Sequence, residues 1–180
     1  MQKANGETVV ILGIGNPGDE YRETYHNVGH LFVDFLAEKY SGDFKVPSKK
    51  SFSLLKGERV TLAHSLSYMN GSGKASKELL SYIKKDPKDL VVAHDDSDIT
   101  IGSWKITFDQ RSAGHKGVES IIHSLKSQKF WRIKIGIRPK QEHRRKKAEE
   151  FVLKKITTED RRLLKETFEI ISNTNLVELK

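Results

Sequence analysis

The chain holds seven His and no Cys in 180 residues. Proton transfer and carbonyl polarisation therefore fall to imidazole, carboxylate and carboxamide groups. A thiol nucleophile, a thiolate zinc site, an Fe–S cluster and a disulfide framework are all excluded. His26 follows a Gly-rich turn, Gly13-Ile14-Gly15-Asn16-Pro17-Gly18, that ends an apolar run. An imidazole titrates near neutral pH, which suits a general base. His94-Asp95-Asp96-Ser97-Asp98 closes a second apolar run. One Asp at a strand end can hold an imidazole in a single tautomer and raise its basicity. Three carboxylates so close can also take Mg²⁺, yet the calcium-loop pattern is absent because no Gly occupies its sixth position.

His26 and His30 are four apart, the spacing of a zinc pair on a helix. Position 27 is Asn rather than the Glu of that motif, so the zinc pattern fails, and no cysteine is available as a further ligand. Tyr68-Met69-Asn70-Gly71-Ser72-Gly73 has small residues that admit a ligand. It does not fit G-x-S-x-G, which makes Ser72 a poor nucleophile. Asn70 and Ser72 can also cap a helix. Ser112-Ala113-Gly114-His115-Lys116-Gly117 leads into a helix whose backbone N–H groups, with Lys116 beside them, suit an anion. Gly13–Gly18 also fits the G-x-G-x-x-G pattern of dinucleotide sites. Against that reading, Pro17 removes an amide that should face the pyrophosphate. Helical periodicity does not begin until residue 27, and no second strand ends in an acidic residue about twenty positions on.

These residues need elements to hold them. Thr8–Leu12, Leu90–Ala93 and Trp131–Ile137 read as buried strands, and Trp104–Phe108 alternates as a strand does. Phe52–Leu55 and Val60–Ala63 flank Gly57 as a hairpin. Helices are expected over roughly 27–40, from Ser72 to about Lys85, after residue 117, and from a Thr157…Asp160 capping box to about Ile171. Strands and helices interleave without a linker. The expected fold is a single α/β domain, core about 8–172, in three layers, its mixed and mostly parallel sheet flanked by helices. A chain this long buries roughly 70% of its unfolded surface. No apolar run approaches the ~20 residues of a membrane helix, and Met1–Glu7 has no signal-like apolar stretch. The cysteine count suits a cytoplasmic protein. The net charge of +8 favours a polyanionic partner, and residues 138–147 carry six basic side chains against one acidic.

Taken in order, the blocks Gly15-Asn16-Pro17-Gly18, Glu20-Tyr21, Thr24-Tyr25-His26-Asn27-Val28-Gly29, Tyr68-Met69-Asn70-x-Ser72-Gly73, His94-Asp95-Asp96-x-Asp98, Gly114-His115-Lys116-Gly117 and Arg132-x-Lys134-Ile135-Gly136-Ile137 resemble the bacterial-type peptidyl-tRNA hydrolase family. The likeness spans roughly residues 9–171. It implies an enzyme that cleaves the ester between a peptide and the 3′-terminal ribose of tRNA, with no metal, no cofactor and no covalent intermediate. It implies His26 as general base, Asp95 as its orienting partner, and Asn70 as a donor to water and oxyanion. A preorganised amide donor of that kind is worth roughly 3–4 kcal/mol of barrier. Asn16 would recognise the blocked amine, while Tyr21 and Tyr68 would line the acceptor end, where aromatics stack on a base or ribose. The stretch 138–147 and Lys105 would meet tRNA phosphates. The family's usual monomeric state and cytoplasmic work are expectations here. Two positions depart from the pattern. Lys116 stands where an Asn helps bind substrate; it can donate but accepts nothing. Tyr25 stands where an Arg is usual. The competing expectation is a non-catalytic RNA-binding protein on the same fold.

Overall fold

In the computed structural model, residues 8–140 and 147–176 are described. Most of the basic stretch, residues 141–146, lies outside them. Among the described residues, six strands form one sheet in the order β2-β3-β1-β4-β6-β5. They are β1 (Val9–Gly13), β2 (Phe52–Lys56), β3 (Val60–Ser65), β4 (Leu90–Thr100), β5 (Trp104–Phe108) and β6 (Trp131–Arg138). The pairs β1–β3, β1–β4 and β4–β6 are parallel, and the edge pairs β2–β3 and β5–β6 are antiparallel. The mixed, mostly parallel sheet expected from the sequence is present.

Four α-helices among the described residues cover it: α1 (Val28–Ala37), α2 (Ser72–Ile83), α3 (Lys116–Leu125) and α4 (Thr158–Ser172). Val9, Ile11, Val91, Ala93, Ile133 and Ile135 pack beneath α1 and α4 with Phe32, Phe168 and Ile171. The alternate residues Val10, Leu12 and Val92 pack beneath α2 and α3 with Leu79, Val118 and Ile121. A sheet buried on both faces explains why the central strands read as unbroken apolar runs. α1 is shorter than the 27–40 periodicity suggested. A 3₁₀ turn at Tyr25–Asn27 precedes it and the regular helix stops at Ala37.

After β1 the chain runs through α1 to β2, at one edge of the sheet. After β4 it turns to β5, at the other edge. The crevice at the carboxyl ends of β1 and β4 is therefore a topological switch point, the place where open α/β sheets bind ligands. β4 is longer than the 90–93 strand expected. It passes through His94-Asp95-Asp96 to Thr100, with an irregularity between Asp96 and Thr100. β1 ends at Gly13 opposite Ala93, but β6 continues alongside and pairs with Asp95 and Asp96. Asp95 thus lies inside a strand, just where its other neighbour has stopped.

A histidine pair lies at the carboxyl end of β3, beside the end of β1. His30 on α1 and His64 on β3 have ring centroids 5.2 Å apart. His64 Nε2 is 3.0 Å from Asp34 Oδ1, and its Nδ1 is 3.2 Å from the Ser53 hydroxyl. Burial, with His64 adding to it, pushes His30 down to about 3. The unfolded chain takes up this proton near pH 6.5 and the folded one does not. Stability must then fall as pH drops from about 6.5 toward 3, by at most about 1.4 kcal/mol per pH unit from this group. Urea unfolding midpoints from pH 7 to 4 should decline, and less steeply for His30→Gln. An unchanged slope in that variant would remove His30 as a source.

Candidate active site

Two glycines let the site close. A Cβ on Gly29 would stand 2.2 Å from the Ala93 carbonyl oxygen, so α1 can lie directly on β4 only because none is there. That contact brings His26, three residues earlier, to Asp95, two residues later. A Cβ on Gly117 would stand 2.4 Å from Met69 Sδ. The first turn of α3 therefore settles against the Met69–Gly71 turn, bringing His115 and Lys116 beside Asn70.

Asp95 Oδ1 is 2.9 Å from His26 Nδ1 and 2.9 Å from His115 Nε2. The tautomers follow from the partners. His115 is the N-cap of α3, and its Nδ1 accepts the Val118 N–H at 3.3 Å. Its Nε2 must then carry the proton and donate to Asp95. Burial pushes the Asp95 carboxyl up, but the His115 and His26 imidazoles outweigh it and hold the group well below the usual carboxylate range. An ionised Asp95 takes the Nδ1–H of His26. That leaves the His26 Nε2 lone pair free, on a side chain 15% exposed at the crevice.

The three ligand atoms on His26, Asp95 and His115 lie within 4.8 Å of one another, a spacing open to a metal. An ion would require the proton on His115 to move to Nδ1, where the Val118 N–H already points. The trio is arranged for protons. His94 completes the row. Its Nδ1 donates to the Asp95 carbonyl at 2.6 Å, and its ring packs edge-on against His115 at 4.6 Å. Burial, with His115 adding to it, drives its pKa well down, so it is neutral.

Asn16 is held on three sides. Its N–H donates to Asn27 Oδ1 at 2.8 Å, its carbonyl accepts from Asn27 Nδ2 at 2.9 Å, and its own Oδ1 accepts the Met69 N–H at 2.8 Å. Because the acceptor end of the carboxamide is used, its NH₂ end is the one left for a ligand. Ser72 is the first residue of α2 rather than its cap, and its hydroxyl donates to the Met69 carbonyl at 2.8 Å. Asn70 caps nothing: it is exposed and has no partner among the described residues.

Asn16, His26, Tyr68, Asn70, Asp95 and Lys116 all line one cavity of about 860 Å³. Tyr21 adjoins it through Tyr68, ring centroids 6.3 Å apart and nearly perpendicular, with Tyr68 57% exposed. Lys105 does not line it. It lies exposed on β5, paired across the strand with Lys134, which does. Lys134 is 2.7 Å from Asp96, and Arg138 is 3.4 Å from Asp98, so two of the acidic residues neutralise cations rather than gather a metal. His115 carries no sequence signal of its own. It falls in a Gly-rich helix entry, and nothing in a spacing of twenty residues pairs it with Asp95.

A family model described as peptidyl-tRNA hydrolase matches residues 10–178. A peptidyl-tRNA hydrolase of Thermodesulfovibrio yellowstonii is 42% identical over 166 residues, 88% of this chain and 85% of its own length. One from Mycoplasma mycoides is 36% identical over 162 residues, 88% of this chain and 86% of its own. The crystal structure of peptidyl-tRNA hydrolase from Acinetobacter baumannii superposes with a TM-score of 0.77 at 28% identity, covering 93% of this chain and 86% of that one. With its crevice built from the same blocks that carried the resemblance, the chain belongs to the bacterial-type peptidyl-tRNA hydrolase family.

Proposed function

We propose that this chain hydrolyses the ester joining a peptide to the 3′-terminal ribose of tRNA, with His26 as general base. The observation that carries the reading is the fixed tautomer of His26: Nδ1–H on an ionised Asp95, Nε2 open at the cavity. Water between Nε2 and the ester carbonyl gives its proton to His26 as its oxygen attacks carbon. The Asp95 carboxylate stabilises the imidazolium so formed. Asn70, free of other partners among the described residues, donates to the oxyanion. Collapse expels the ribose oxygen, which takes the proton from His26, leaving a free acid and tRNA.

The Asn16 NH₂ explains selectivity. It matches the carbonyl oxygen of an N-acyl group, which a free aminoacyl ester lacks; that ester presents an ammonium donor instead. Tyr21 and Tyr68 offer faces to the terminal base or ribose, and the exposed Lys116 and Lys105 offer ammonium groups to backbone phosphates. A tRNA substrate fits an enzyme working in the cytoplasm, and the reading takes it to be a monomer. N-acetyl-aminoacyl-tRNA should be cleaved at least about 100-fold faster, in kcat/KM, than the unblocked ester, and Asn16→Ala should narrow that ratio to about tenfold. Equal rates on both esters would refute the role of Asn16. Saturable tRNA binding with neither ester cleaved would favour a non-catalytic RNA-binding protein.

A further inference from the structure

The turn that carries His26 is held from behind by the chain between β6 and α4. The His26 N–H donates to the Val152 carbonyl at 2.8 Å and the Tyr25 N–H to the Lys154 carbonyl at 3.2 Å. Thr24 bridges Lys155 in antiparallel fashion, and the Ile156 N–H donates to the Glu23 carbonyl at 2.9 Å. All these contacts are backbone to backbone. One buried side chain fastens the same turn to α4: the Tyr25 hydroxyl donates to Asp160 Oδ2. Asp160 is fixed in its turn, its N–H given to the Thr157 hydroxyl that caps the helix. The Tyr25 ring packs edge-on against Phe151, 6.3 Å between centroids, and Tyr25 is only 7% exposed. Burial and the neighbouring Asp160 carboxylate push the phenol above its ordinary value, so it remains a donor. Residues 147–149, 152 and 153 of the same segment line the substrate cavity. One stretch of chain thus walls the substrate and braces the base.

We propose that Tyr25 is a positioning residue of the hydrolase, whose hydroxyl bond to Asp160 locks the 3₁₀ turn against α4 and so aims His26 Nε2 at the attacking water. The proposal rests on the reading of His26 as general base. Position 25 adjoins the base directly, and its bond spans 135 residues of sequence to an element that carries no other part of the site. A shift of about 1 Å in a reacting group can cost about 100-fold in rate. A loosened turn rather than a displaced one should cost less.

Tyr25→Phe keeps the ring on Phe151 and removes only the hydroxyl. Its kcat on N-acetyl-aminoacyl-tRNA should fall about tenfold while KM stays within twofold. Asp160→Asn still offers an accepting oxygen and should keep kcat within twofold of wild type. Ile171→Val thins the core under α4 without touching the turn, and should lower the unfolding midpoint while leaving kcat unchanged. A Tyr25→Phe kcat within twofold of wild type, or an equal loss in Ile171→Val, would overturn the proposal. His26→Ala is assayed alongside. If it keeps turnover, the base reading falls and takes this proposal with it. If it is inactive and Tyr25→Phe is not impaired, the positioning role alone falls.

Discussion

Replacing His26 by alanine should lower kcat for N-acetyl-aminoacyl-tRNA by at least about 1,000-fold and leave tRNA affinity within threefold. A positioned general base contributes about 10²–10⁴ in rate. Here the loss falls in the upper part of that range, because the same imidazole must return its proton to the departing ribose oxygen. Affinity should survive because His26 meets the protein through Asp95 and the backbone of Val152, while the contacts available to tRNA lie on Tyr68, Lys116 and Lys105. Filter binding and single-turnover cleavage on one preparation separate the two effects. Retained turnover would remove His26 from its role. Lost turnover with lost binding would assign it to substrate recognition instead.

Asp95→Asn should be nearly as damaging, about 100-fold or more in kcat, with KM little changed. Both imidazole N–H groups converge on Oδ1, so an asparagine oriented with its carbonyl there keeps both hydrogen bonds and the shape. What it loses is the negative charge that His26 and His115 hold ionised inside the fold. That charge matters most when His26 becomes imidazolium, which happens only on the way to the transition state, so the cost falls on kcat. An asparagine flipped the other way would point an NH₂ at two N–H donors and disturb the fold as well, so far-ultraviolet dichroism and the unfolding midpoint belong in the same experiment. A variant with native stability and a kcat within fivefold of wild type would show that Asp95 orients His26 without contributing its charge.

Much of this was legible from the residues because burial writes itself into the chain. β-Branched runs at 9–12, 90–93 and 131–137 can form little else, and they proved to be the central strands. The extension of β4 was hidden for the same reason. The acidic run His94–Asp98 reads as the end of a strand, and pairing with β6, with Lys134 and Arg138 facing Asp96 and Asp98, carries it on to Thr100. His26, Asp95, Asn16 and Asn70 were found through motif order, and the structure sets all four around one cavity. His115 escaped because its role depends on a helix cap that fixes its tautomer, a fact of three-dimensional neighbours. The Thr157…Asp160 box also divided its labour. Thr157 caps α4 as expected, but the Asp160 carboxylate serves Tyr25 instead of closing the box. Lys105, which the resemblance implies as a phosphate contact, lies exposed on β5 outside the cavity, beside Lys134, which lines it.

The central claim is that His26 activates a water that attacks the acyl carbon. Cleavage of N-acetyl-aminoacyl-tRNA in ¹⁸O-labelled water, with mass analysis of both products, tests it most directly. The label should enter the carboxyl group of the released N-acetyl amino acid, and the tRNA should emerge with its terminal ribose oxygens unlabelled and its backbone whole. Label in the ribose or in a phosphate, or tRNA bound and returned uncleaved, would contradict the account.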